Sequence, residues 1–370
     1  MKKRVLQVNI DNNGGNGAFT LVQNFYGKLR DDYIFDYFTM DKFLEDEVFR
    51  SIIENGGKCY SANLRENKIK GHILLPVIFY KFLKSNKYEI VHIHSEVAYK
   101  QFLYALAAKL GKVDTIIIHS HSSNIDGSHK RVKRFFHYLL RYFVNMLGDI
   151  YIACSMPAAK WMFTRRNIES NRFHLLSNGI DPAVYKFSDE KRKKARTQLN
   201  LENKIVIGHV GALKWVKNQE RLIDILHELN NDKYRLVLVG DGADKQKLIS
   251  KAKKLGLENN VIFLGSRTDV QNLLQTFDIF VFPSFFEGIP MALIEAQAVG
   301  VPVIASDAIN HDVKINDNCF FVSLDSTNEE WINLIMNSIN NHIKDKGFIN
   351  VSKSTYNIEK SINMLRKIYR

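Results

Sequence analysis

The stretch from Ile279 to Asp307, IFVFPSFFEGIPMALIEAQAVGVPVIASD, admits few folds. Ile279–Phe282 is an apolar run of strand length, and Val301–Ala305 is a second. Between them Glu287-Gly288-Ile289-Pro290 turns the chain into a helix, with Pro290 near its first position, where a missing N–H costs nothing. The helix closes at Gly300, with Pro302 just beyond it. Strand, helix and strand in this order predict a parallel βαβ unit. Glu287 and Glu295 then bracket the open N-terminus of the helix. Free backbone N–H groups and the positive end of the dipole suit a phosphate there, and the carboxylates offer acceptors to sugar hydroxyls. Taken singly, Glu287 is as readily a helix cap and Glu295 a solvated side chain.

The same alternation runs through the rest of the chain. Strands are predicted at Val5–Ile10, Phe35–Met40, Ile90–His94, Thr115–His119 and Ile150–Cys154, with helical patterns at Tyr99–Leu110 and Val132–Leu147. It restarts at Lys204–Gly211, Arg235–Gly240 and Val261–Gly265. A chain of 370 residues is too long for one ordinary core and predicts two domains of roughly 150–200 residues each. The loop Asp11–Gly17, with Gly15 at its centre, follows the first strand where a doubly wound sheet brings backbone close to a ligand. It is not a G-x-G-x-x-G fingerprint, which argues against a dinucleotide. In the second half, strand ends at Gly211, Gly240-Asp241-Gly242 and Gly265-Ser266-Arg267 converge with the Glu287 turn on the edge where such sheets bind ligands.

Charge narrows the partners. Lys and Arg number 52 against 39 Asp and Glu, a net charge of +13 that favours an anionic partner. No helix-turn-helix, RNP or zinc-finger pattern accompanies it, so nucleic acid is the weaker choice. The basic and aromatic segment His129–Tyr142 allows two readings. Its aromatic residues pack into the core while its basic residues are solvated, or the helix lies on an anionic membrane surface. The run Lys191–Arg196 reads as a solvated helix face. His92/His94 and His119/His121 are H-x-H pairs on single strand faces, but no Cys or nearby carboxylate completes a metal-ligand set, and no metal or cofactor is expected. Cys59, Cys154 and Cys319 show neither metal nor disulfide spacing, which fits a reducing cytoplasm. No secretory leader is evident, and the longest apolar run, Ile73–Tyr80, is too short to cross a bilayer.

The pattern E-G-x-P-x4-E-A-x-A-x-G-x-P-V-I-A-S resembles the E-x7-E signature of the retaining family-4 glycosyltransferases. HVGALKWVKN, LVGDG, FLGSRTDV and the turn SNGIDP also occur in that family's order and spacing. The resemblance implies the GT-B fold: two doubly wound, Rossmann-like α/β domains facing a central cleft, with a C-terminal helix returning to the first. The domains would be 1–186 with a returning helix at about 354–370, and 187–353. It further implies a nucleotide-sugar donor, with UDP the default choice of nucleotide, and a saccharide or lipid-linked acceptor. Donor contacts would come from Gly15, Gly211, Lys217, Gly242, Arg267, the Gly288, Ile289, Pro290 and Met291 backbone, and Glu295. Lys217 would meet the diphosphate, Glu295 the ribose and Glu287 the transferred sugar. A strand-end His near the anomeric carbon would be His121 or His119, with HSS favouring His121. Two departures stand out. Ala212 occupies a position where most members have Arg, with Lys214 the candidate replacement, and the usual Gly-Gly-x-x-Glu loop after Asp307 is missing, as in the exopolysaccharide and capsule-assembly branch. A cytoplasmic enzyme on the inner face of the plasma membrane is the expectation. The alternatives are a sugar-nucleotide 2-epimerase of the same fold and a non-catalytic partner subunit.

Overall fold

The computed structural model describes residues 2–12, 17–64, 68–122 and 130–370. In the first part of the chain the elements are β1 (Lys3–Val8), α1 (Gly17–Leu29), β2 (Tyr33–Thr39), α2 (Glu47–Glu54), β3 (Cys59–Ser61), α3 (Lys68–Ser85) and β4 (Ile90–Ser95). They continue with α4 (Ala98–Leu110), β5 (Thr115–Ser120), α5 (Lys130–Leu147), β6 (Ile150–Ala153), α6 (Met156–Met162), α7 (Arg165–Ile168) and β7 (Phe173–Leu175). The second set is α8 (Asp189–Gln198), β8 (Ile205–Val210), α9 (Gln219–Leu229), β9 (Tyr234–Val239), α10 (Lys245–Lys254), β10 (Val261–Gly265) and α11 (Val270–Leu273). It ends with β11 (Ile279–Phe282), α12 (Met291–Val299), β12 (Val303–Ser306), β13 (Cys319–Val322), α13 (Asn328–Ser338) and α14 (Lys344–Lys353), and α15 (Ile358–Ile368) follows.

These elements form two compact units, Met1–Asn178 with Glu359–Arg370, and Gly179–Ile358. The sequence reading draws its divisions at 186/187 and 353/354. The chain passes between the units at 178/179 and 358/359, both beside one bridge, where Ile180 N–H donates to Tyr356 O and Ile180 O accepts from Ile358 N–H, each at 2.9 Å. Each unit holds one parallel sheet, ordered β3-β2-β1-β4-β5-β6-β7 in the first and β10-β9-β8-β11-β12-β13 in the second. Strand order reverses between β1 and β4, and again between β8 and β11. Their central strands are buried throughout because helices cover both faces.

Gly300 and Gly240 are among the glycines that geometry requires. Gly300 ends α12 in the left-handed region at φ 83°, where a Cβ would stand 2.5 Å from Lys344 N. Gly240 has φ 136°, and a Cβ there would lie 2.1 Å from Gly211 O, so the ends of β8 and β9 meet only without a side chain.

In the first unit α15 completes the core. Tyr369 is buried against Tyr33 and Phe35, with ring centroids 5.4 and 6.0 Å apart, and Arg366 pairs with Asp32 at 3.1 Å.

Two readings of basic helices are corrected. In α8, Arg192 and Arg196 are four residues apart and turn inward rather than to solvent. Both pair with Asp278 and donate to the carbonyls of Gln275, Phe277 and Thr276, which fixes the entry to β11; Lys191, Lys193 and Lys194 are exposed. In α5 the aromatic residues are not core. Phe135 (65% exposed), Tyr142 (64%) and Met146 (67%) stand in solvent with Val132, Phe136, Tyr138, Leu139 and Phe143, while His137, Val144 and Asn145 face inward. Helical periodicity reports an apolar stripe but not what covers it. His129 lies outside the described residues. The cysteines are free, and no described helix is long and apolar enough to cross a membrane.

Candidate active site

In the second unit the loops leaving β8 and β11 at the strand-order reversal are bound to each other. Phe285 N–H donates to Val216 O at 2.9 Å, Asn218 Nδ2 donates to Pro283 O at 3.2 Å, and the Trp215 and Phe285 rings stack at 4.8 Å. This pairing brings Lys217 and Glu287 into an ion pair, their side chains only 19% and 13% exposed. The Lys217 stem runs over Gly211, whose Cβ position lies 3.7 Å from Lys217 Cε, and its ammonium sits 5.2 Å from the Phe282 ring centroid.

Beside that pair α12 begins. Pro290 is its N-cap and no side chain caps the first turn, while Gly288 faces open space, with nothing within 4 Å of its Cβ position. Ile289 and Met291 flank Pro290 at this entrance. Glu295 follows one turn into the helix. It accepts a hydrogen bond from the Tyr185 hydroxyl, and burial raises its pKa above the ordinary carboxylate value. The same burial and the Glu295 charge raise that of Tyr185.

His209 was not singled out by the sequence, yet it underlies both loops. Its Nδ1–H donates to Val281 O at 2.9 Å, and its Nε2 accepts from Gln219 Nε2 at 3.3 Å. Gln219 also donates to Ala212 O at 2.9 Å. Burial, reinforced by the Lys217 charge, lowers the His209 pKa to about 4, so the ring is neutral and acts as a spacer.

The remaining expected donor contacts fare differently. Gly242 lets its backbone pass Leu213, where a Cβ would meet Leu213 O at 2.3 Å. Arg267 follows the edge strand β10, two strands from β8, and its exposed guanidinium grips Asp269 with two bonds of 2.8 Å. Lys214 lines a separate cavity of about 430 Å³ with Trp215, Asn218 and Arg221; neither Lys217 nor Glu287 borders it. Gly15 lies outside the described residues.

In the first unit a cavity of about 940 Å³ opens at the ends of β1, β4 and β5. Met40, Leu75, Pro76, Leu103, Phe136 and Leu140 give it apolar walls, and Asp11, Glu96, Lys100 and His121 give it polar ones. Burial lowers the Lys100 pKa, with Glu96 opposing. His121 borders the cavity, whereas His119 is fully buried behind it.

Behind His121 lies a network that the two H-x-H motifs announced but could not complete. His94 Nδ1 meets His121 Nε2 at 2.8 Å, and His94 Nε2 meets Gln7 Oε1 at 2.8 Å. Gln7 Nε2 meets Tyr369 Oη at 3.5 Å, Tyr369 Oη meets His92 Nδ1 at 2.7 Å, and His92 Nε2 meets His119 Nδ1 at 3.2 Å. Burial pushes every ring toward neutrality, His92 to about 3 and His121 to about 4, with His94 and His119 well below their usual value. Ligand atoms of His92, His94 and His119 lie within 4.8 Å of one another, but only His119 Nε2 among their ring nitrogens lacks a hydrogen-bond partner among the described residues.

Comparison with known proteins adds relatives to this geometry. The family profile described as Glycosyltransferase Family 4 matches residues 39–184, and that described as Glycosyl transferases group 1 matches 190–354. EpsF of Bacillus subtilis (strain 168), named as a glycosyltransferase, is 30% identical over 324 residues, which span 84% of this chain and 81% of EpsF. An Escherichia coli enzyme named UDP-Gal:alpha-D-GlcNAc-diphosphoundecaprenol alpha-1,3-galactosyltransferase is 26% identical over 305 residues, 79% of this chain and 78% of that one. Among solved structures, Anabaena HepE in complex with UDP has a TM-score of 0.78 at 20% identity, covering 99% of both chains, which is a likeness of fold.

Proposed function

Since this chain belongs to glycosyltransferase family 4 and has the GT-B fold, we propose that it moves a sugar, with retained anomeric configuration and without a metal, from a UDP-linked donor to a lipid-linked saccharide in cell-surface polysaccharide assembly. The observation that carries this reading is the Lys217–Glu287 pair at the uncapped start of α12, with Glu295 one turn behind.

In this reading the bond between the anomeric carbon and the β-phosphate oxygen breaks, and negative charge grows on that oxygen. Lys217 and the Gly288–Met291 backbone stand where such charge is stabilised. Glu287 is paired with Lys217. When the diphosphate takes over the ammonium, Glu287 turns to the hydroxyls of the transferred sugar. Glu295 accepts from the ribose hydroxyls, held in place by Tyr185. The acceptor hydroxyl bonds to the anomeric carbon from the face the phosphate leaves, and its proton passes to the departing phosphate.

The apolar walls of the first unit's cavity fit an acceptor carrying a lipid, as the name of the Escherichia coli relative describes for that enzyme. The exposed aromatic side of α5, with Arg131, Lys133 and Arg134 on the same helix, fits docking to an anionic leaflet at the inner face of the plasma membrane.

Incubation with a panel of nucleotide sugars, with and without lipid-linked saccharides, tests the function. Acceptor-dependent release of nucleoside diphosphate is expected; an epimerised donor, or no turnover of any donor, overturns it. Glu295→Ala should weaken UDP binding by about 1–3 kcal/mol, the cost of losing a buried hydrogen-bonding partner. Calorimetry checks this, and equal UDP affinity would remove Glu295 from the ribose site. Changing Phe135, Tyr142 and Met146 together to Ser should abolish salt-sensitive flotation with anionic vesicles, which the unaltered protein should show. Absence of flotation by the unaltered protein would return α5 to an ordinary surface.

A further inference from the structure

The buried chain from His121 to His119 has a direction. Gln7 Oε1 only accepts, so His94 Nε2 carries the hydrogen between them. His94 is neutral, so its Nδ1 must accept, and the hydrogen on that bond belongs to His121 Nε2. On the other side Gln7 Nε2 donates to Tyr369 Oη, whose own hydrogen goes to His92 Nδ1. His92 Nε2 then donates to His119 Nδ1, and the chain ends at His119 Nε2–H, which has no partner among the described residues. Every bond runs the same way. Turning the Gln7 amide over would reverse all of them, so one side chain determines which nitrogen of His121 holds hydrogen.

We propose that Gln7 and Tyr369 are positioning residues that hold His121 in its Nε2–H tautomer, so that it offers an unprotonated Nδ1 to a substrate hydroxyl in the first unit's cavity. Neither touches substrate. Tyr369 belongs to α15's end of the chain and reaches the network only because that segment packs into the first unit. A fixed acceptor takes the hydrogen of a sugar hydroxyl and leaves that oxygen's lone pairs free, whereas an imidazolium or the opposite tautomer would instead donate to the oxygen, so the tautomer sets the direction of this contact. The catalytic part of the proposal rests on the glycosyltransferase reading, while the tautomer does not.

Imidazole nitrogen chemical shifts of His121, assigned in labelled protein, test it directly. Nε2–H alone is expected in the unaltered chain. Tyr369→Phe removes the acceptor of Gln7 and the donor of His92, and should give a mixture of tautomers. Gln7→Met, which cuts the chain at its centre, should do the same and serves if Tyr369→Phe does not fold. In either variant kcat should fall on the order of ten- to a hundredfold, as when the partner orienting a histidine is removed, with donor KM little changed. An Nδ1–H tautomer in the unaltered protein, or unchanged His121 signals in a folded variant, overturns the proposal. So does one equivalent of zinc bound in the purified protein, because a metal would take the ring nitrogens from the chain. A protein that transfers no sugar yet shows the expected tautomers would refute only the function.

Discussion

Replacing Lys217 by alanine is expected to lower kcat by about 10²–10³-fold, the usual loss when one preorganised donor to a developing negative charge is removed. The ammonium is mostly shielded from water, held by its stem over Gly211 and by the Phe282 ring, so its charge acts in a medium less screening than solvent. Donor ground-state affinity should change less, because the charge on the leaving phosphate grows only as the glycosidic bond breaks. Lys217→Gln separates charge from reach: it keeps much of the stem and should lose nearly as much turnover as alanine. Initial rates of nucleoside diphosphate release at saturating donor measure both variants. Turnover within a few-fold of the unaltered enzyme would mean that the diphosphate is stabilised elsewhere, and attention would pass to Lys214.

Acid should unfold the first unit well before the second. His92, His94, His119, His121, His137 and His174 belong to the first unit, and burial lowers the pKa of each; His209 and His342 are the comparable groups in the second. The sign follows from linkage. A histidine whose folded pKa lies below its unfolded value near 6.5 contributes stability that is fully present above pH 6.5. That contribution is lost as pH falls toward the folded values, about 3 for His92 and about 4 for His121 and His137. Each such group costs about 1.4 kcal/mol per pH unit across that window. The raised pKa of Glu295 works the opposite way in the second unit, favouring it slightly as pH falls. Urea unfolding at pH 7.5 and 5.5, at constant ionic strength, should show a steep fall in the first unit's midpoint, followed through Trp161. Trp215 and Trp331 report the second unit. Coincident midpoints that ignore pH would contradict the buried, neutral state of the cluster.

Much of the fold is written in local signals. Apolar runs of strand length, and the Pro290 and Gly300 punctuation of α12, need no knowledge of the distant chain. Lys217 and Glu287 were legible because each follows a strand end by a fixed spacing. Tyr185, His209, Gln7 and Tyr369 were not, because their roles arise from partners that folding supplies: Glu295, Val281, His94 and His92. Arg192 and Arg196 were misread for the same reason, since only the fold brings Asp278 to them. The α5 aromatics show the converse limit, because an apolar stripe fits a core and an uncovered surface equally well.

The bridge at Ile180 also bears on how the protein is made. Residues 359–370 supply Tyr369 to the core of the first unit, and they emerge from the ribosome only after the whole second unit has been synthesised. The unit translated first is therefore the last that can close. Until then its sheet waits with the pocket beneath Phe35 unfilled and His92 without its hydroxyl, while the second unit already has its complete sequence. Nascent-chain lengths ending before Glu359 should accordingly hold a protease-resistant second unit beside a susceptible first one.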